Sequence, residues 1–146
     1  MGVTEKPLSS NRGEYIDDWN QFLNMLAVPW CATEKSWFNA LGFAEPSIKS
    51  ARAKDFAVKK KTWTAKQVML GNYTPKPGDY LVKARRGGHH VDTFVEWDTE
   101  KQSGIIVGGN VNDRVLLRQV DLKDITLWGA TITEVTGFYN YEVIND

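Results

Sequence analysis

PGDYLVKARRGGHHVDTFVEW, residues 77–97, is the stretch whose pattern sets the fold class. Pro77-Gly78-Asp79 is a turn signal, because proline presets φ, glycine tolerates positive φ and a short aspartate side chain bonds nearby backbone. After it the chain turns rich in β-branched and aromatic residues, which predicts strands at Tyr80–Lys83 and Val91–Trp97. Side chains alternate along a strand, so His90, Asp92, Phe94 and Glu96 share one face, while His89, Val91, Thr93, Val95 and Trp97 share the other. Further strands are expected at Gly104–Val107, Arg114–Leu117 and Gly137–Val143, with a connection of hairpin length at Asp98–Ser103.

Upstream of residue 77 the period is helical. Tyr15, Trp19, Phe22, Leu23 and Leu26 draw one apolar stripe on a helix over Glu14–Leu26, with Asn11 and Gly13 at the capping end. Pro29 interrupts, and Cys31–Leu41 reads as a second helix closed by Gly42, with Ala32, Trp37, Phe38, Ala40 and Leu41 available to pack. Residues 46–67 read as a short helix followed by irregular chain. Helices first and strands second predict an α+β domain in which N-terminal helices pack on one face of an antiparallel sheet. No linker, repeat or low-complexity stretch divides the chain, so residues 1–146 are expected to form one domain.

With 42% apolar, 25% charged and 12% aromatic residues, the composition is that of a folded globular chain. Eighteen basic residues balance eighteen acidic ones, so no overall field points to nucleic acid or an anionic membrane as partner. The basic run from Lys49 to Lys66, broken only by the acid Asp55, reads either as a solvated face or as a patch for an anionic polymer. Met1–Arg12 lacks the apolar core of a signal peptide and no run is long enough to span a membrane, so delivery outside the cytoplasm would need another route.

Cys31 is the only cysteine, which excludes an intrachain disulfide and leaves two readings: a small buried apolar residue or a nucleophile. The second needs a thiolate, and Cys31 falls in the first turn of a helix, where free N–H groups and the helix dipole stabilise an anion. A base would have to be one of the two histidines, His89 and His90, which on a strand face opposite ways. No second cysteine, HExxH pattern, EF-hand-like loop or dinucleotide fingerprint accompanies them, so neither metal nor cofactor is expected.

Asn11-Arg12-Gly13, Pro29-Trp30-Cys31-Ala32 with Trp37, Pro77-Gly78-Asp79, Gly88-His89-His90-Val91 and Gly108-Gly109-Asn110 together resemble, in order and spacing, the CHAP family of cysteine amidases and peptidases. That family is related to NlpC-type and papain-like enzymes, and the resemblance spans nearly the whole chain. It implies a papain-like architecture with Cys31 as nucleophile, His90 as general base and Asn110 orienting the imidazole. His90 is preferred to His89 because histidine followed by valine at a strand start is the family's pattern. Trp30, His89 and Asp92 are then expected to line the substrate groove. Relatives usually carry glycine or alanine where this chain has Asp92, an acid in some members where it has Gly108, and apolar residues where it has Glu34 and Lys35. Asp92 would either compete with Asn110 for His90 or line the groove, and Glu34 and Lys35 would lie at the exposed edge of the helix.

The implied function is hydrolysis of amide bonds in bacterial peptidoglycan, as an N-acetylmuramoyl-L-alanine amidase or a stem or cross-bridge endopeptidase, carried by a phage or delivered by a secretion machine. Two alternatives stay open: a degenerate wall-binding or structural module of a phage particle or secretion apparatus, and an amidase or deamidase acting on a protein.

Overall fold

The computed structural model describes residues 2–42, 48–125 and 129–136. Helix α1 spans Glu14–Gln21 and α2 spans Cys31–Gly42, followed by single 3-10 turns at Ala53–Phe56 and Lys59–Lys61. Strand β1 (Thr62–Thr64) leads into α3 (Ala65–Met69), and then come β2 (Tyr80–Arg85), β3 (Gly88–Asp98), β4 (Ser103–Val111), β5 (Arg114–Asp121), α4 (Leu122–Ile125) and β6 (Thr131–Thr133). The six strands form one sheet in the order β1-β6-β2-β3-β4-β5, and every pairing is antiparallel. The α+β class follows, with each sequence-derived strand from residue 80 to 117 present and longer than expected. The strand expected at 137–143 lies outside the described residues.

Two tight turns set the register of the central strands. Arg85 pairs with Gly88 across a two-residue loop, and Val111 pairs with Arg114 across Asn112-Asp113. Both Asn112 and Asp113 have positive φ, 49° and 63°, the combination that matches a hairpin turn to the twist of its strands. The hairpin at Asp98–Ser103 is as the sequence suggested.

Tyr80, Leu81 and Val82 are consecutive and all buried, so β2 is covered on both faces. Tyr80 and Val82 meet Val91, Phe56 and the head of α2 at Cys31 and Ala32. Leu81 joins Phe94, Ile106, Val120 and Ile132 under α3 and α4, through Ala65, Val68 and Leu122. The expectation of helices on one face is corrected accordingly: two short helices that the periodicity did not reveal close the other side. For α3 a local signal exists, since Thr64 and Gln67 make a reciprocal capping box at its start.

Helix α1 is shorter than its apolar stripe suggested. Asn24, at φ 56°, takes the left-handed position that ends a helix, with Met25 N–H bonding Asn20 O and Asn24 N–H bonding Gln21 O. Leu26 is therefore off the helix and exposed, and Ile16 and Trp19 make the buried stripe against Trp30.

Asp79 fastens the turn that opens β2. Its buried carboxylate accepts from Tyr73 Oη at 2.6 Å, Lys76 N–H at 3.0 Å, Lys76 Nζ at 2.8 Å and Val135 N–H at 3.0 Å. Burial and the Asp79 charge push the Tyr73 phenol far up, so it remains a donor at any working pH. Removing the carboxylate strands several donors at once, and Asp79→Ala is expected to cost about 3 kcal/mol in urea unfolding. Asp79→Asn, which keeps shape and two acceptor lone pairs, should cost less.

Candidate active site

Helix α2 starts where it does because Trp30 is anchored. Its indole is fully buried, stacks obliquely on Trp19 at 5.5 Å and donates from Nε1 to Glu5 Oε1 at 2.9 Å. Its carbonyl accepts from Glu34 N–H at 3.1 Å and Thr33 Oγ1 at 3.2 Å, which closes the first helical turn. Cys31 is thereby the first helical residue, beside backbone N–H groups that have no partner within the helix. Trp30 is a structural anchor with no surface for substrate, a correction to the groove-lining role expected of it.

The β3–β4 ladder ends at Thr93–Val107, although β3 runs back to Gly88 and β4 on to Val111. The head of α2 packs onto β4 beside this end of the ladder. A Cβ on Gly109 would fall 2.8 Å from the Trp30 ring and 2.9 Å from Glu34 Oε2, and a Cβ on Gly108 would fall 1.8 Å from Asp92 Oδ1. The two glycines thus admit groups from opposite sides of one strand, as alternation requires.

His90, Asp92 and Arg118 form a hydrogen-bonded line, and Cys31 lies near enough to the imidazole for each to shift the other. His90 Nε2 lies 2.7 Å from Asp92 Oδ1, and Arg118 Nη2 donates to Asp92 Oδ2 at 2.8 Å. With Nε2 taken, the ring nitrogen left for the thiol is Nδ1, which is buried and makes no hydrogen bond among the described residues. Burial would push the Cys31 thiol up, but the nearness and charge of His90, the Val91 N–H and the charge of Arg85 outweigh it, so the thiol lies below its ordinary range. Burial would likewise lower His90, yet Asp92 and Cys31 together hold it above the usual imidazole value. Asp92 is lowered despite its burial, by His90 first and then by Arg118 and Lys35. All three shifts favour a thiolate, an imidazolium and a carboxylate in sequence.

Asn110 does not orient the imidazole. It sits at φ 57° in the irregular stretch between Gly108 and Val111, and makes no hydrogen bond to His90 among the described residues. Asp92 takes the contact because it lies two residues along the same strand face, where Gly108 leaves room for it. It is fully buried and therefore no groove-lining group either. His89 is exposed beside the β2–β3 turn, away from the line.

Sequence reasoning missed three partners. Arg118 carries no motif of its own, and only the register, which pairs it with Ile106 beside Phe94, brings it to Asp92. Glu34 and Lys35, expected at an exposed edge, are both buried: Lys35 Nζ reaches Glu34 Oε1 and Val107 O, each at 3.3 Å. Burial raises the Glu34 carboxyl above its ordinary value, with Lys35 opposing. Among the described residues no group of histidine, cysteine or acidic side chains could hold a metal ion.

Cys31 being the sole cysteine, its titration can be read directly by alkylation. A thiol of ordinary pKa, about 8.5, is under about 1% thiolate at pH 6. With its pKa lowered, Cys31 should label with iodoacetamide well above that background and slow only as pH falls through the folded-state value. Gly108→Ala, which drives a methyl into the Asp92 carboxylate, should return labelling at pH 6 to the background. Gly109→Ala, which meets Trp30 instead, should lower the melting temperature more than it alters the pH profile.

Comparison with family models, with curated proteins and with solved structures gives no match, and the chemistry of the site stands on its own geometry.

Proposed function

We propose that this chain is a thiol hydrolase of the papain-like CHAP type, cleaving amide bonds in bacterial peptidoglycan. The observation that carries the reading is the Cys31–His90–Asp92 line at the first residue of a helix, with all three ionisations shifted in the direction a thiolate–imidazolium pair needs. The choice of substrate rests on the resemblance of Pro29-Trp30-Cys31-Ala32, Gly88-His89-His90-Val91 and Gly108-Gly109-Asn110 to that family.

In this mechanism His90 Nδ1 takes the Cys31 proton, and the thiolate attacks the amide carbonyl carbon. The oxyanion is met by the Cys31 N–H at the head of α2. The C–N bond breaks as His90 returns its proton to the amine, which leaves a thioester on Cys31. His90 then takes a proton from water, the hydroxide displaces the thiolate, and a carboxylic acid departs. Asp92 holds Nε2–H throughout, so that Nδ1 faces the thiol and the imidazolium is stabilised.

A second reading is favoured by one observation: Cys31 is only 3% exposed and His90 only 4%. A site so closed suits a wall-binding or structural module of a phage particle or secretion apparatus as well as an enzyme. The two readings separate on purified sacculi. The hydrolase releases new N-terminal amines and fragments whose masses identify the cleaved bond, and loses this with Cys31→Ala; a module binds sacculi and leaves them intact with either chain. For the hydrolase, His90→Ala should lower turnover by at least roughly a hundredfold, the low end for a general base, while His89→Ala retains most of it. Asp92→Ala should cost more than Asn110→Ala.

A further inference from the structure

The guanidinium of Arg118 and the imidazole of His90 divide the two oxygens of one buried carboxylate between them. We propose that Arg118 is a positioning residue of the site, fixing Asp92 from the far strand so that Asp92 presents Oδ1 to His90 Nε2 and remains ionised there. The proposal rests on the thiol-hydrolase reading and names a residue which that reading does not require.

Four features support it. Asp92 has no exposure to water, so an oxygen without a donor would be left unsolvated, and Arg118 Nη2 at 2.8 Å is the donor that Oδ2 has. A carboxylate on a strand can rotate about χ2, and a planar guanidinium holding one oxygen removes that freedom. Arg118 comes from β5, where it pairs with Ile106, so its contact reaches across β4 to a carboxylate for which Gly108 leaves room. Finally, the other charged groups around the pair do not substitute for it. From α2, Lys35 is committed to Glu34 and Val107 O, and Glu34 is itself an acid. From β2, Lys83 and Arg85 act on Asp92 and Cys31 respectively through charge alone, without a hydrogen bond to Asp92.

The readout is the pH profile of Cys31 alkylation, which follows the thiolate and needs no substrate. Wild type should show labelling that rises through the folded-state value of the thiol to a plateau. In Arg118→Met, Asp92 no longer holds the imidazolium, so the rising limb should move to higher pH. The shift should be on the order of one pH unit, a tenfold change in rate on the limb. Arg118→Lys, which keeps charge without the planar fork, should recover part of that shift. In an Asp92→Asn background, Arg118→Met should add nothing, because the two act through one contact. Circular dichroism and melting temperature select folded variants, and Arg118→Lys serves if Arg118→Met does not fold.

An unmoved rising limb in Arg118→Met, or in Arg118→Lys where only that variant folds, overturns the positioning role and leaves the hydrolase reading intact. An equal shift of the limb by Arg118→Met with and without Asp92 overturns it as well. A wild-type thiol that titrates as an ordinary cysteine removes the hydrolase reading, and the positioning role falls with it.

Discussion

Asp92 is a carboxylate with no contact with water, and such a group stays ionised only where donors occupy its oxygens. Here His90 holds one oxygen at 2.7 Å and Arg118 the other at 2.8 Å. Much of the surrounding architecture can be derived from that requirement. Three strands must lie side by side, β3 to carry histidine and aspartate, β5 to carry arginine, and β4 between them with nothing in the way. Gly108 meets the last condition, since even a methyl there would overlap Asp92. Cys31 then needs only to arrive at the remaining ring nitrogen, and the anchoring of Trp30 by Glu5 and Trp19 sets where the first turn of α2 begins.

The resemblance that guided the sequence reading placed the third polar group on β4 and a small residue on β3. The structure has the reverse: the acid is Asp92 on β3, and glycine is Gly108 on β4. Chemically the exchange is close to neutral, because either arrangement can set a carboxylate against the far imidazole nitrogen. It has a structural corollary. A carboxylate on the histidine's own strand is held by local geometry and survives an irregular β4, whereas one on the neighbouring strand depends on the register between them, which here is lost beyond Thr93–Val107.

The strand half of the chain was legible because its strands are rich in β-branched and aromatic residues and are bounded by turns of strong chemistry. The faces of β3 were legible as far as Phe94, and the parity that separates His89 from His90 is the one the structure has. Beyond Phe94 a bulge before Glu96 turns Trp97 onto the Phe94 face, against the alternation expected of it. What escaped was short or non-local. Strands β1 and β6 are three residues each and pair only with partners distant in sequence, so no periodic window detects them. Helix α1 was overextended because Leu26 continued its stripe, while Asn24 ended it by a left-handed cap that asparagine supplies less often than glycine. Glu34 and Lys35 looked exposed because charge usually is, and only as a mutually paired couple against Val107 O do they tolerate the interior. Arg118 could not have been found from spacing, since its partner is fixed by strand order.

The groups that depress the Cys31 thiol come from positions 85, 90 and 91, and Asp92, which sustains His90, is itself held from position 118. None is a helical neighbour of the cysteine, and at position 31 the unfolded chain carries only a thiol of ordinary acidity. The lowering of its pKa is therefore a property of the folded chain, since β2 and β3 bring every one of those groups to position 31. A denatured sample should consequently show a thiol as acidic as any free cysteine, and refolding should restore the shift only once those two strands have closed against the head of α2.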